Sequence, residues 1–316
     1  MKVRRAFAIA VLGPMLLIGV AAAAAKGPLR RRPQTPPQSA TVSFQSRALG
    51  TREPFQIALP PGYGSSRRRY PVVYALHGLP AGTVGYRSVP VARMAATAAA
   101  HPVIVVAPQG ASAAHPDDEW HDWGSGRNWE TAISGELVSY VDRHWRTIPD
   151  ARSRAIIGMS AGGYGAAMIG LHHPETFSVV ESWSGYFRPT TPDGSKTLHV
   201  GSAHDDEAAD AHRFVDCLGR LDPRERPRLI GFYVGADDPY SGFLADNQRL
   251  HAELAAAGVP HRFAVYRGGH DDAFWASHER AWLGDVVAHL DGVAPARPTD
   301  AAAARDAARR AGCPAA

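Results

Sequence analysis

The sequence predicts one α/β domain with a mainly parallel central sheet, helices on both faces and antiparallel strands at its start. Three observations carry this expectation. Tyr70 to Leu76 (YPVVYAL) and Pro102 to Ala107 (PVIVVA) are nearly unbroken apolar runs of strand length, as strands buried on both faces require. Strand patterns alternate with helical ones, which favours parallel pairing through crossover helices. The chain has 316 residues, 45% hydrophobic and 20% charged, enough apolar content for a packed core and too much for disorder.

At the amino terminus, Lys2, Arg4 and Arg5 precede an apolar run from Ala6 to Ala25, with small residues at Ala23 and Ala25. This is the pattern of a signal peptide over residues 1–25, and an uncleaved anchor is its rival. Both readings place the protein outside the cytoplasm, secreted or in the cell envelope, with membrane contact only through this segment. Removing the segment lowers the formal charge of +4 by the three basic residues it carries, so charge says little about partners. Residues 26–40 form a Pro/Arg-rich leader. Arg30, Arg31 and Arg32 lack interleaved aromatics there and read as a solvated stretch, not a nucleic-acid site.

Residues 41–293 are read as the catalytic domain. The alternating run Phe55 to Leu59 followed by Pro60-Pro61-Gly62 predicts the antiparallel opening strands. Ala155 to Ile157, Val179-Val180 and Leu229 to Val234 are further strands. Ile133, Leu137, Tyr140 and Val141 share one face of a helix spanning about Trp129 to Trp145. The small-residue stretch from Ala161 to Leu171 is a second helix, and Ser241 to Ala257, stopped by Gly258, a third. Residues 294–316 are an Ala/Arg-rich tail.

Gly158-Met159-Ser160-Ala161-Gly162 is a G-x-S-x-G motif set between a strand and a helix. That context matters more than the motif, because a sharp strand-to-helix turn holds a serine hydroxyl clear of the sheet. Ser160 is therefore the expected nucleophile. A hydroxyl is a poor nucleophile unless a base takes its proton, so a histidine is expected downstream. Of the 15 histidines, His270 stands out, because it follows Val265-Tyr266 and the turn Gly268-Gly269. His172 and His173 read as the end of a helix. The acid belongs at the end of the preceding strand, where Asp237 and Asp238 stand side by side as near equals. Two backbone donors are needed for an oxyanion: Ala161, after the nucleophile, and Leu79, in the turn His77-Gly78-Leu79. His77 reads as a hydrogen-bonded structural residue.

Taken together, these motifs resemble the esterase family of α/β-hydrolases, which includes esterase D-like enzymes, feruloyl esterases and the mycobacterial antigen 85 mycolyltransferases. The resemblance runs from about Ser43 to Leu283. It rests on Leu59-Pro60-Pro61-Gly62-Tyr63, Leu76-His77-Gly78, Trp129-Glu130-Thr131, Gly158 to Gly165, His173-Pro174 with Phe177, and Gly268-Gly269-His270. It implies an α/β-hydrolase fold, Asp238 as the acid with Asp237 in reserve, and Leu79 as an oxyanion donor.

The expected function is hydrolysis of carboxylic esters, small-molecule or carbohydrate and lipid esters alike, through an acyl-enzyme. Acyl transfer to sugar hydroxyls is the alternative, since Trp129-Glu130-Thr131 resembles the transferases. Against it, His77-Gly78-Leu79-Pro80 lacks the transferases' Asp and the basic residue after Leu. A binding protein without activity is a third class, disfavoured because Ser160, Asp238 and His270 are all present. No cofactor or metal is expected: two cysteines are too few for a zinc framework, and His204-Asp205-Asp206 lacks a third ligand. Cys217 and Cys313 are expected to pair in an exported protein. Residues 80–88 and 115–129, with Trp120 and Trp123, are read either as pocket loops or as ordinary aromatic packing.

Overall fold

The computed structural model describes residues 38–187, 215 and 218–292. The signal segment, most of the leader, His204-Asp205-Asp206, Cys217, Cys313 and the tail lie outside the described residues.

Two antiparallel strands, β1 (Gln38–Gln45) and β2 (Arg52–Leu59), open the sheet. The first begins at Gln38, inside the segment assigned to the leader, because Gln38 already pairs with Leu59. The parallel body follows: β3 (Val72–Leu76), β4 (Ile104–Pro108), β5 (Arg154–Met159), β6 (Val179–Trp183), β7 (Leu229–Gly235) and β8 (Arg262–Tyr266). The spatial order is β1-β2-β4-β3-β5-β6-β7-β8, with β2 antiparallel to β4 and every later pair parallel.

Side chains alternate across these strands. Val72, Tyr74 and Leu76 face one layer, with Ile156, Val180 and Phe232. Val73 and Ala75 face the other, with Ile157, Val179 and Tyr233. The first layer is covered by a π-helical turn (Ala132–Leu137), which α2 (Trp129–Thr131) leads into, and by α3 (Val138–His144), α4 (Ala161–His172) and α5 (Phe243–Ala256). The second is covered by α1 (Val91–Thr97) and α6 (Asp272–His289). The sequence pattern reads 129–145 as one regular helix, whereas the structure widens its middle into the π turn that contains Gly135. Among the described residues no helix is long and apolar enough to cross a membrane.

Register places the site. Leu76 lies beside Gly158, Met159 beside Trp183 and Gly235 beside Tyr266. The turns after β3, β5, β6, β7 and β8 therefore leave the sheet along one edge, where open α/β sheets hold their ligands.

Candidate active site

Strand β5 is buried along its length and ends at Met159, and α4 begins at Ala161. Ser160 between them has φ 57° and ψ −125°, a conformation that a residue with a side chain rarely adopts. Such a backbone costs on the order of 1–3 kcal/mol and persists only where its surroundings enforce it. The close approach of two chain segments does so here. A Cβ on Gly162 would sit 2.3 Å from the carbonyl oxygen of Leu76, so only glycine lets α4 start this near β3. The Ser160 N–H donates to the Trp183 carbonyl at 3.0 Å, tying the turn to β6.

His270 comes to Ser160 from the turn after β8. Its Nε2 lies 2.8 Å from Ser160 Oγ, and its Nδ1 lies 2.8 Å from Asp238 Oδ2. A carboxylate can only accept, so Nδ1 carries the proton and Nε2 is left to accept from the serine hydroxyl. Both partners are sealed from solvent, the His270 and Asp238 side chains being 6% and 1% exposed. Between the two adjacent aspartates, the structure brings Asp238 to the imidazole. Asp237 turns the other way and accepts from the Gly268 N–H at 3.2 Å, bracing the turn that presents His270.

The two expected oxyanion donors flank Ser160. Ala161 is the first residue of α4, so its N–H has no acceptor within the helix. Across from it, a Cβ on Gly78 would lie 2.9 Å from Ser160 Cβ, which puts the His77-Gly78-Leu79 turn directly against the serine. His77 holds that turn. Its Nδ1 donates to the Gly78 carbonyl at 2.9 Å, and its Nε2 accepts from the Gly110 N–H at 3.0 Å. Burial drives its pKa down to about 4, so the ring is neutral at pH 7 and both bonds are made by one tautomer. Because the two ends of a trans peptide point in opposite directions, anchoring the Gly78 carbonyl on His77 turns the Leu79 N–H away from it.

Trp120 proves to be packing. It is 2% exposed, its ring lies 4.8 Å from that of His77, and Gly110 and Gly165 have room for it only because they lack a Cβ. It follows Glu119, and both residues have positive φ. Glu119 is pushed up to about 8 by burial, against the opposing effect of the Tyr186 hydroxyl, which donates to its Oε1 at 2.6 Å. Sequence reasoning missed this pair, as it missed the aromatic rings around His270: Tyr240, Phe243 and Trp275 lie 4.9, 5.4 and 5.1 Å from it, all edge to face. The helix from Ser241 to Ala257 was visible in the sequence, but nothing local marks Phe243 within it as a neighbour of a distant histidine.

Trp129-Glu130-Thr131 does structural work. Buried Glu130 accepts from His172 Nδ1 at 2.7 Å and His173 Nε2 at 3.1 Å, joining α2 to the end of α4. Burial alone would raise the Glu130 carboxyl, but the two histidines outweigh it and hold it well below the ordinary range. Burial likewise disfavours charged His173, but Glu130 and Glu175 outweigh it and lift His173 to about 9.

The sequence and the fold have counterparts among known proteins. A Mycobacterium tuberculosis protein named as an esterase is 26% identical over 272 residues, covering 78% of this chain and 58% of its own length. The endo-1,4-beta-xylanase/feruloyl esterase of Xylanibacter ruminicola is 27% identical over 237 residues, covering 72% of this chain and 29% of that one. This chain thus spans only part of the length of these relatives. Among solved structures, a ferulic acid esterase superposes with a TM-score of 0.66 at 23% identity, over 81% of this chain and 99% of that one. MPT51 of Mycobacterium tuberculosis superposes with a TM-score of 0.62 at 18% identity, over 80% of this chain and 99% of that one. Both share the α/β-hydrolase fold. Residues 46–278 match the family model described as "Putative esterase", and the chain belongs to that family.

Proposed function

We propose that this protein hydrolyses carboxylic esters through a Ser160 acyl-enzyme, with His270 as general base and Asp238 as the group that orients it. The observation that carries the reading is the hydrogen-bonded chain from Ser160 Oγ through His270 to Asp238, 2.8 Å at each link. In the first step Ser160 Oγ attacks the ester carbonyl carbon while His270 Nε2 takes the hydroxyl proton. Asp238 stabilises the imidazolium so formed. The Leu79 and Ala161 N–H groups receive the carbonyl oxygen as it becomes negative. Collapse returns the proton from Nε2 to the leaving alcohol, and a water molecule then repeats the sequence on the acyl-enzyme, releasing the acid and restoring Ser160.

Hydrolysis is preferred over transfer to sugars on two grounds. No basic residue stands directly after Leu79. The block that resembles the transferases, Trp129-Glu130-Thr131, is engaged in packing through Glu130. Short to medium acyl chains are the expected substrates. Export is proposed from the signal-peptide pattern that ends at Ala25.

A fluorophosphonate probe tests the nucleophile directly, since it should label wild-type protein and leave Ser160→Ala unlabelled. Turnover of 4-nitrophenyl acetate should fall on the order of 10⁶-fold in that variant, by comparison with triad nucleophiles elsewhere. Half of the activity surviving in Ser160→Ala would refute the assignment.

A further inference from the structure

Large apolar side chains that remain exposed are few among the described residues: Leu79, Val84, Tyr240 and Val265. Leu79 and Val84 follow β3, on the oxyanion side of Ser160. Tyr240 lies on the opposite side, against His270. The residue is 56% exposed, and its ring sits edge to face 4.9 Å from the imidazole and stacks on Phe243 at 5.2 Å. Its position is built: the Tyr240 N–H donates to Asp238 Oδ1 at 3.1 Å, so the aspartate that orients His270 also holds this turn. Phe243 in turn packs on Tyr186 at 4.8 Å, whose hydroxyl is anchored on buried Glu119.

The chemistry gives this side of the site a meaning, and the argument rests on the Ser160 acyl-enzyme reading. His270 Nε2 must reach both Ser160 Oγ and the oxygen of the leaving alcohol, so the alcohol half of the ester lies in the sector of the imidazole. Of the three rings around His270, Trp275 is turned inward, its Nε1 donating to Ser184 Oγ at 3.0 Å, and Phe243 lies between Tyr240 and Tyr186. Tyr240 is the ring left to meet the alcohol. Exposed carboxylates at Asp237 and Asp271 adjoin Asp238 and His270 in the chain, which disfavours an anionic alcohol there.

We propose that Tyr240, backed by Phe243, is the recognition platform for the alcohol half of the substrate, and that this alcohol presents an uncharged ring with an apolar face. An aryl ring and the C–H face of a sugar both fit that chemistry. By microscopic reversibility the same platform receives an alcohol attacking the acyl-enzyme. In that step His270 takes the proton of the incoming hydroxyl, the new acyl–oxygen bond forms, the acyl–Ser160 Oγ bond breaks, and the proton returns to Ser160.

Partitioning of the acyl-enzyme tests the proposal with an internal control. Wild type, Tyr240→Ala and Tyr240→Phe are acylated with 4-nitrophenyl butyrate in the presence of equal concentrations of ethanol, benzyl alcohol or methyl glucoside. The ratio of new ester to free acid is then measured, so that any general loss of activity cancels. A ring alcohol should exceed ethanol in wild type. Its advantage should fall roughly fivefold in Tyr240→Ala, the scale of one aromatic contact, and be retained in Tyr240→Phe. Preference for benzyl alcohol identifies an aryl group, and preference for the glucoside a sugar. Equal ratios for ethanol and both ring alcohols, or a ratio unaltered by Tyr240→Ala, overturn the platform. Fluorophosphonate labelling separates the two levels: labelled enzyme with unaltered ratios refutes only this inference, whereas unlabelled wild type refutes the Ser160 reading beneath it.

Discussion

Replacing His77 with leucine keeps the side chain's approximate bulk and removes both of its hydrogen bonds. The buried Gly110 N–H and the half-buried Gly78 carbonyl, 3.0 and 2.9 Å from the ring in the native protein, would lose their partners. Orphaning a buried group costs about 1–3 kcal/mol and the half-buried carbonyl less than that, so a destabilisation of roughly 2–5 kcal/mol is expected. For a domain of this size that lowers Tm by roughly 5–15 °C. The catalytic effect should be separable. With the Gly78 carbonyl released, the Leu79 N–H is no longer aimed, and loss of one oxyanion donor costs about 10²–10³ in kcat. Because the oxyanion exists only in the transition state, KM should change little. Steady-state kinetics on 4-nitrophenyl acetate at 20 °C, with thermal unfolding of the same samples, make the comparison. A variant whose Tm falls as expected but whose kcat stays within threefold of wild type would refute the aiming role and leave His77 as packing alone.

Three further expectations follow from the same geometry. Asp238→Asn should reduce kcat by about 10⁴, the scale seen when a triad acid is neutralised, whereas Asp237→Asn should cost far less because it braces only the Gly268 N–H; a larger loss in Asp237→Asn reverses the assignment. Gly162→Ala would drive a methyl to 2.3 Å from the Leu76 carbonyl oxygen, so folded yield and Tm should fall sharply, and an unchanged melting curve would show that α4 can shift away from β3. The histidines divide the pH dependence of stability. His173, lifted in the fold from 6.5 to about 9, contributes stability that is complete below pH 6.5 and lost as pH rises towards 9. His77, lowered to about 4, acts in the opposite sense, so stability drains as pH falls from 6.5 towards 4. Denaturant titrations of His173→Gln across pH 6 to 9 should show a flatter alkaline limb than wild type, and parallel limbs would sink this account.

The amino-acid sequence by itself determined what depends on neighbours along the chain. The buried parallel strands are legible as unbroken apolar runs, because both faces of each strand are covered. The turn at Ser160 is legible because strand, G-x-S-x-G and helix follow within a few residues. The long helix Asp272–His289 was not read from the sequence, because the buried residue in its middle is Glu279 and breaks the apolar stripe between Phe274 and Trp282, although Asp271 caps the helix by accepting from the Phe274 N–H. What only the tertiary structure decided spans larger separations. Asp238 and Asp237 look alike in the sequence, and the choice was made by a turn 32 residues further on, where His270 meets one and the Gly268 N–H the other. The link from His270 to Ser160 crosses 110 residues, and that from Tyr186 to Glu119 crosses 67. Contacts of that kind are set by strand order and register, through which β5, β7 and β8 deliver their turns to one edge, and no local pattern of residues encodes which rings and carboxylates will meet there.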